Sequence, residues 1–212
     1  MLKIVIFFIF SLIIVKISWP DILNIHSRKF YRFFAIEFLF LLILVNCGYW
    51  LKNPFTIFRM ITWIILGGSL LLAGYGIYLL LQGGKPQISG NIETNTNMKT
   101  SGIYKYIRHP LYSSRILLGI ETTTSLVTSG IYKYIRHPLY TSLILLGAVT
   151  LIKNPSLLAT SLFSVATVFL YATARTEEKE NLLKFGQDYA VYMKRSKTFF
   201  SLSIFEKMLK KE

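Results

Sequence analysis

Long apolar runs decide the class of fold. Ile4–Val15 continues past Lys16 to Trp19, Phe33–Leu51 is interrupted only by Glu37, and Met60–Gln82 is 23 residues without a charge. Tyr140–Ile152 and Ser156–Ala174 form a further pair. Crossing the hydrocarbon core of a bilayer takes about 20 apolar residues, roughly 17 to 25. Three runs meet that length outright, and the first and fourth do so with flanking residues. Backbone groups in lipid must be satisfied within the segment, so runs of this kind become helices. The expected architecture is an all-α, polytopic membrane helical bundle of about five transmembrane helices plus a C-terminal amphipathic interfacial helix. The first run is not read as a secretory signal, because no small-residue cleavage site follows it. Lys52–Phe55 (KNPF) and Lys153–Ser156 (KNPS) each separate two apolar runs, and Asn-Pro favours turn initiation, so both predict tight hairpins.

Charge gives an orientation. With five spans, one set of connecting segments (Pro20–Arg32, Gly83–Leu139 and the tail from Arg175) carries 19 Lys and Arg, and the other set carries four. The positive-inside rule puts the tail in the cytoplasm and the N-terminus outside. The membrane would be the plasma or inner membrane of a prokaryote, or the endoplasmic reticulum of a eukaryote. The net charge of +14 then reads as contact with anionic lipid headgroups and calls for no nucleic acid. Cys47 is the single cysteine, and His26, His109 and His137 are the three histidines, so neither a disulfide nor a cysteine- or histidine-rich metal centre is expected. Glu37 lies close to Arg32, which predicts an interfacial ion pair, and Arg59 is expected to reach the surface from the start of its span.

The polar segments hold a tandem duplication. SGIYKYIRHPLY occurs at Ser101–Tyr112 and again at Ser129–Tyr140, and 22 of 28 positions match between Ile92–Gly119 and Ile120–Gly147. This divides the chain into 1–91 (three N-terminal transmembrane helices), 92–119 (copy one) and 120–212 (a core with a helical hairpin and a C-terminal helix). Pro138 suits the first turn of a helix and pushes His137 towards extended geometry. The free amides of that turn would join Arg136 and His137 as a site for a carboxylate or phosphate. On the plainer reading, Lys133 and Arg136 are anchors and Tyr132, Tyr134 and Tyr140 an interfacial aromatic belt. Beyond the last run, Leu182, Phe185, Tyr189 and Tyr192 recur at steps of three and four, as in an amphipathic helix. Glu177 and Glu178 stand at its start. They either complement the helix dipole and Arg175, or supply acceptors for an ammonium or a sugar diol.

The pattern LVTSGIYKYIRHPLY, a hairpin of two apolar helices, then EE and FGQDYAVY resembles the isoprenylcysteine carboxyl methyltransferase and phospholipid methyltransferase superfamily over Thr122–Lys197. The resemblance implies S-adenosylmethionine held by Leu126, Val127, Tyr132, the His137–Pro138–Leu139–Tyr140 segment and Glu177. It also places Arg175 near a substrate-contacting arginine. Arg136 joins the cofactor set as a cationic partner. The acceptor would be the carboxylate or amine of an isoprenoid or phospholipid. A carboxylate is ionised at neutral pH and needs no base, whereas an amine would need one, from Glu178 or His137. The family's closing proline is missing from RSKTFFSLS. Only copy two enters a run long enough for a hairpin; copy one has just ten residues, Leu111–Ile120 with Arg115 among them, before Glu121. The site is therefore expected on copy two and not on Arg108, His109 and Tyr112. Related Arg-His-Pro elements in membrane sterol reductases leave an NADPH enzyme as the alternative. A lipid-holding protein without catalysis is a third reading.

Overall fold

The computed structural model describes residues 2–22, 24–25, 27–52, 56–83 and 126–199. Copy one of the duplication, the 92–119 segment and the core of the KNPF turn lie outside the described residues. Those residues form five α-helices: α1 (Leu2–Ile22), α2 (Arg28–Asn46), α3 (Ile57–Gly83), α4 (Pro138–Lys153) and α5 (Leu157–Arg195). Short 3₁₀ turns occur at Cys47–Tyr49 and Gly130–Lys133. Helices α2, α3 and α5 are long and apolar enough to cross a membrane, and α4 is a shorter apolar helix. The described residues are thus all-helical in their regular structure, as in an integral membrane protein.

Local rules set the helix starts. Ser27 has extended geometry and its Oγ accepts from the Phe30 amide at 3.0 Å, capping α2. Ser156 caps α5 in the same way through the Ala159 amide at 3.2 Å, so the KNPS turn is the expected tight hairpin between α4 and α5. Pro138 opens α4, where its missing amide leaves no bond unmade.

Helices α2 and α5 form the main seam. Ala35, Leu39 and Leu42 meet Ala159, Leu162, Ala166 and Leu170, all buried. Alanines at three of these positions let the two backbones approach closely, as in membrane helix pairs generally. Gly147 brings α4 into the seam: a β-carbon there would lie 2.9 Å from both Leu39 Cδ2 and Phe163 Cδ2. Helix α3 packs on α4, with Ser69 Oγ donating to the Ser142 carbonyl at 2.8 Å and Gly76 lying against Pro138. The Phe10 and Phe40 rings stack between α1 and α2.

Three expectations need correcting. The amphipathic segment does not begin as a new helix at Ala174: the helix runs on from its apolar part, Leu157–Ala174, through Glu177 and Glu178 as far as Gly186, and a further helical stretch follows the kink there. It bends where Gly186 adopts φ 54°, a left-handed conformation that glycine tolerates. The Arg32–Glu37 ion pair does not form. At 100° per residue the two positions stand about 140° apart around α2, so they serve different faces. Glu37 is buried, and although Ser11 is near, neither carboxylate oxygen has a hydrogen-bond partner. Arg59 is half-buried, with Nη1 shut off from solvent.

Candidate active site

The loop before α4 is fixed from both sides. Gly130, at φ 58°, starts the 3₁₀ turn against Leu79 and Tyr75 of α3, and this turn buries Tyr132. Tyr192, late in α5, donates its hydroxyl to the Tyr132 carbonyl at 2.6 Å. The chain after α5 then runs alongside the loop. Arg136 and His137 donate their amides to the Lys197 and Thr198 carbonyls at 2.8 and 3.2 Å, and Lys197 returns one to Tyr134 at 2.9 Å. This pairing was not anticipated, because nothing local in RSKTFF announces it.

Arg136 is the internal tie of this arrangement. Its Nε donates to Glu178 Oε1 at 2.8 Å, Nη1 to the carbonyls of Met193 and Ser196, and Nη2 to Thr198 Oγ1 at 2.6 Å. Glu178 is 2% exposed and also accepts from Arg175 Nη1 at 3.0 Å. Burial works to raise the pKa of Glu178. Interactions with His137 and Arg136 outweigh it and hold the carboxyl down to about 2.

Glu177 faces elsewhere, being 100° further round the helix. Its Oε2 accepts from the Tyr140 hydroxyl at 2.6 Å, and Arg28 Nη1 lies 3.9 Å from Oε1. Burial raises its pKa, but the charges of His137 and Arg28 together with the Tyr140 hydrogen bond leave it below the usual carboxylate value. His137 is 5% exposed, stacks on Tyr140 at 5.4 Å and stops 3.6 Å short of Glu178, so its Nε2 is buried without a hydrogen-bond partner. Burial, followed by the nearby charge of Glu177, raises the pKa of the Tyr132 phenol and keeps it neutral.

These groups surround a cavity of about 320 Å³. Leu126, Val127, Tyr132, Arg136, His137, Pro138, Leu139, Tyr140 and Glu177, the nine residues expected around a cofactor, all line it. The two residues expected to be catalytic do not. Glu178 is enclosed by its ion pairs, and Arg175 points outward with its side chain 52% exposed. Sequence reasoning missed Arg28, Arg32 and Asn181 on the wall. A usable signal existed for the arginines: residues 28, 32 and 36 recur every four residues, and Ile36 lines the same wall. Phe185, Tyr189 and Tyr192 of the amphipathic stripe close another side, while Leu182 is exposed. The remaining wall, from Ala73, Ile77 and Leu80 of α3 and Leu143 of α4, is apolar. Among the described residues, no three His, Cys, Asp or Glu side chains converge on a metal position.

Residues 113–184 match the model of the isoprenylcysteine carboxyl methyltransferase (ICMT) family. The matched span opens just after the copy-one motif and contains copy two, the α4–α5 hairpin and the two glutamates. The ICMT family is one of methyltransferases. Neither the curated proteins nor the solved structures yield a match.

Proposed function

We propose that the chain transfers a methyl group from S-adenosylmethionine to the carboxylate of a lipid-like acceptor, isoprenoid or phospholipid, at the cytoplasmic face of its membrane. The N-terminus lies outside in this reading. The observation that carries it is the composition of one enclosure: the Glu177–Tyr140 pair, the cations Arg28 and Arg32, four aromatic rings and an apolar wall on α3. The residues suit the cofactor. A volume of about 320 Å³ is within the range of roughly 300–1,000 Å³ usual for small-molecule sites. Glu177 offers an acceptor for an ammonium or a ribose diol, the rings of Tyr132, Phe185 and Tyr189 offer stacking surface, and His137 Nε2 is a buried polar atom lacking a partner.

When bound, S-adenosylmethionine supplies an electrophilic methyl group that needs no further activation. The task left to the chain is placement, since holding reactants in register can supply about 7–11 kcal/mol of a barrier. Arg28 and Arg32 would draw the acceptor carboxylate to the polar end while the α3 wall takes the apolar tail. Glu178 is ionised and occupied by Arg136 and Arg175, which suits an acceptor that needs no base. Its role here is to position the His137–Pro138 turn against α5. An amine acceptor is the second reading, favoured by the unpartnered Nε2 of His137, which could take the proton.

Calorimetric titration of the detergent-solubilised chain with S-adenosylhomocysteine and, separately, NADPH tests the proposal. Saturable heat is expected from the first only. A response to NADPH alone would mean a reductase, and none from either would mean a lipid-holding protein.

A further inference from the structure

The opposite end of the bundle gathers buried donors with nothing to receive them. Helix α2 ends there, α3 begins and α4 ends. At about 1.5 Å per residue the 19 residues of α2 place it roughly 28 Å from the Arg28 end that lines the cavity. Lys153 is 5% exposed, and its Nζ has no hydrogen-bond partner. The ammonium sits 4.0 Å over the centre of the Trp63 ring, and Trp50 packs edge-on to Trp63 at 6.0 Å. Trp50 Nε1 and Arg59 Nη1 are likewise shut off from solvent and unpartnered. Arg59 is near enough for its charge to repel that of Lys153. No ion pair among the described residues includes either cation. The amide acceptor nearby is already used, since Asn46 Oδ1 receives Asn154 Nδ2 at 3.1 Å.

A buried ammonium, a half-buried guanidinium whose Nη1 is shut off from solvent and an indole N–H, with no anion paired to them among the described residues, make an unbalanced site. A desolvated, unpaired charge is costly, and the face of Trp63 offsets only part of that. Two cationic donors and a neutral indole N–H suit the oxygens of a phosphate group. We propose that Lys153, Arg59 and Trp50, walled by Trp63, bind a phosphate-type oxyanion at the end of the bundle remote from the cavity. The ion is carried by a phospholipid headgroup or arrives as free phosphate. The site is independent of methyl transfer: it shares no residue with the cavity.

The test uses the full chain in a neutral detergent, titrated with sodium phosphate, with dioctanoyl phosphatidylglycerol and with dioctanoylglycerol, which lacks the phosphate. Tryptophan emission and thermal unfolding are read together. A saturable emission change is expected with phosphatidylglycerol if the source is lipid, or with phosphate if it is free, and none with dioctanoylglycerol. At a ligand concentration about 100 times Kd, Tm should rise by roughly 5–10 °C. Lys153→Met should weaken binding about 30-fold or more and leave the ligand-free Tm no lower than that of the native chain. Should Lys153→Met not fold, Arg59→Gln carries the comparison. No saturable response from either phosphate probe, an equal response to dioctanoylglycerol, or unchanged affinity in both variants would overturn the proposal.

Discussion

Replacing Arg136 by glutamine should be among the most damaging single changes outside the helix seam. The variant keeps the size of the side chain roughly but removes the charge facing Glu178 and the donors to Met193, Ser196 and Thr198. Glu178 is then left 2% exposed with Arg175, whose own side chain is half in solvent, the Thr198 hydroxyl at 3.4 Å and His137 at 3.6 Å. Breaking a buried pair by removing one partner costs about 3–5 kcal/mol. For a chain of this size that lowers Tm by roughly 6–20 °C. Acid titration gives a second measure of the same interaction. Glu178 titrates at about 2 in the folded chain against 4.5 as a free side chain. A depressed carboxyl contributes stability that is fully present above the unfolded value and disappears as pH falls through the folded one. The shift is worth about 3 kcal/mol, lost between roughly pH 4.5 and 2. Thermal unfolding in mild detergent at pH 7 and pH 3 should therefore show a large gap between native chain and variant at pH 7 and a narrower one at pH 3. Arg175→Gln is the control, because its half-exposed guanidinium should contribute at most about 1 kcal/mol. An Arg136→Gln variant melting within about 2 °C of the native chain, or an equal loss from Arg175→Gln, would refute the reasoning.

Tyr140→Phe removes the hydroxyl that orients Glu177, so S-adenosylhomocysteine should bind up to about tenfold more weakly by calorimetry, and Glu177→Gln should weaken it further. His137→Ala should abolish or strongly reduce binding of the same ligand while His109→Ala leaves it intact; equal losses would move the site to both copies. Gly147→Leu inserts a side chain where a β-carbon alone would already lie 2.9 Å from Leu39 and Phe163, and should cost about 1–3 kcal/mol or more in thermal unfolding, with Gly147→Ala smaller in effect.

What the sequence disclosed was local in character. Pro138 as a helix start, the KNPS hairpin and the length of the apolar runs each depend on a few neighbouring residues and on rules that hold in any context. The cavity-lining segment followed from the same stretch, since a turn and the first helical residues after it must share one end of the bundle. Roles that depend on distant partners did not show. Arg136 looked like a ligand-facing cation because its sequence neighbours are polar. Its actual partners are 42 to 62 residues away, and three of them, Met193, Ser196 and Thr198, come back only after the bend at Gly186.

The paired glutamates show the difference most sharply, and here a simple rule would have helped. Adjacent residues on a helix point 100° apart, and on α5 that step turns Glu177 to the cavity and Glu178 to Arg136. A buried carboxylate turned away from the cavity needs a cation of its own. Glu178 takes Arg136 for that purpose, which in turn fixes the loop carrying His137 and Tyr140 at the place where Glu177 meets them. The ion pair and the cavity wall are therefore consequences of one helix register. Shifting that register by a single residue would bring Glu178 to the cavity and set Lys179, a second cation, against Arg136.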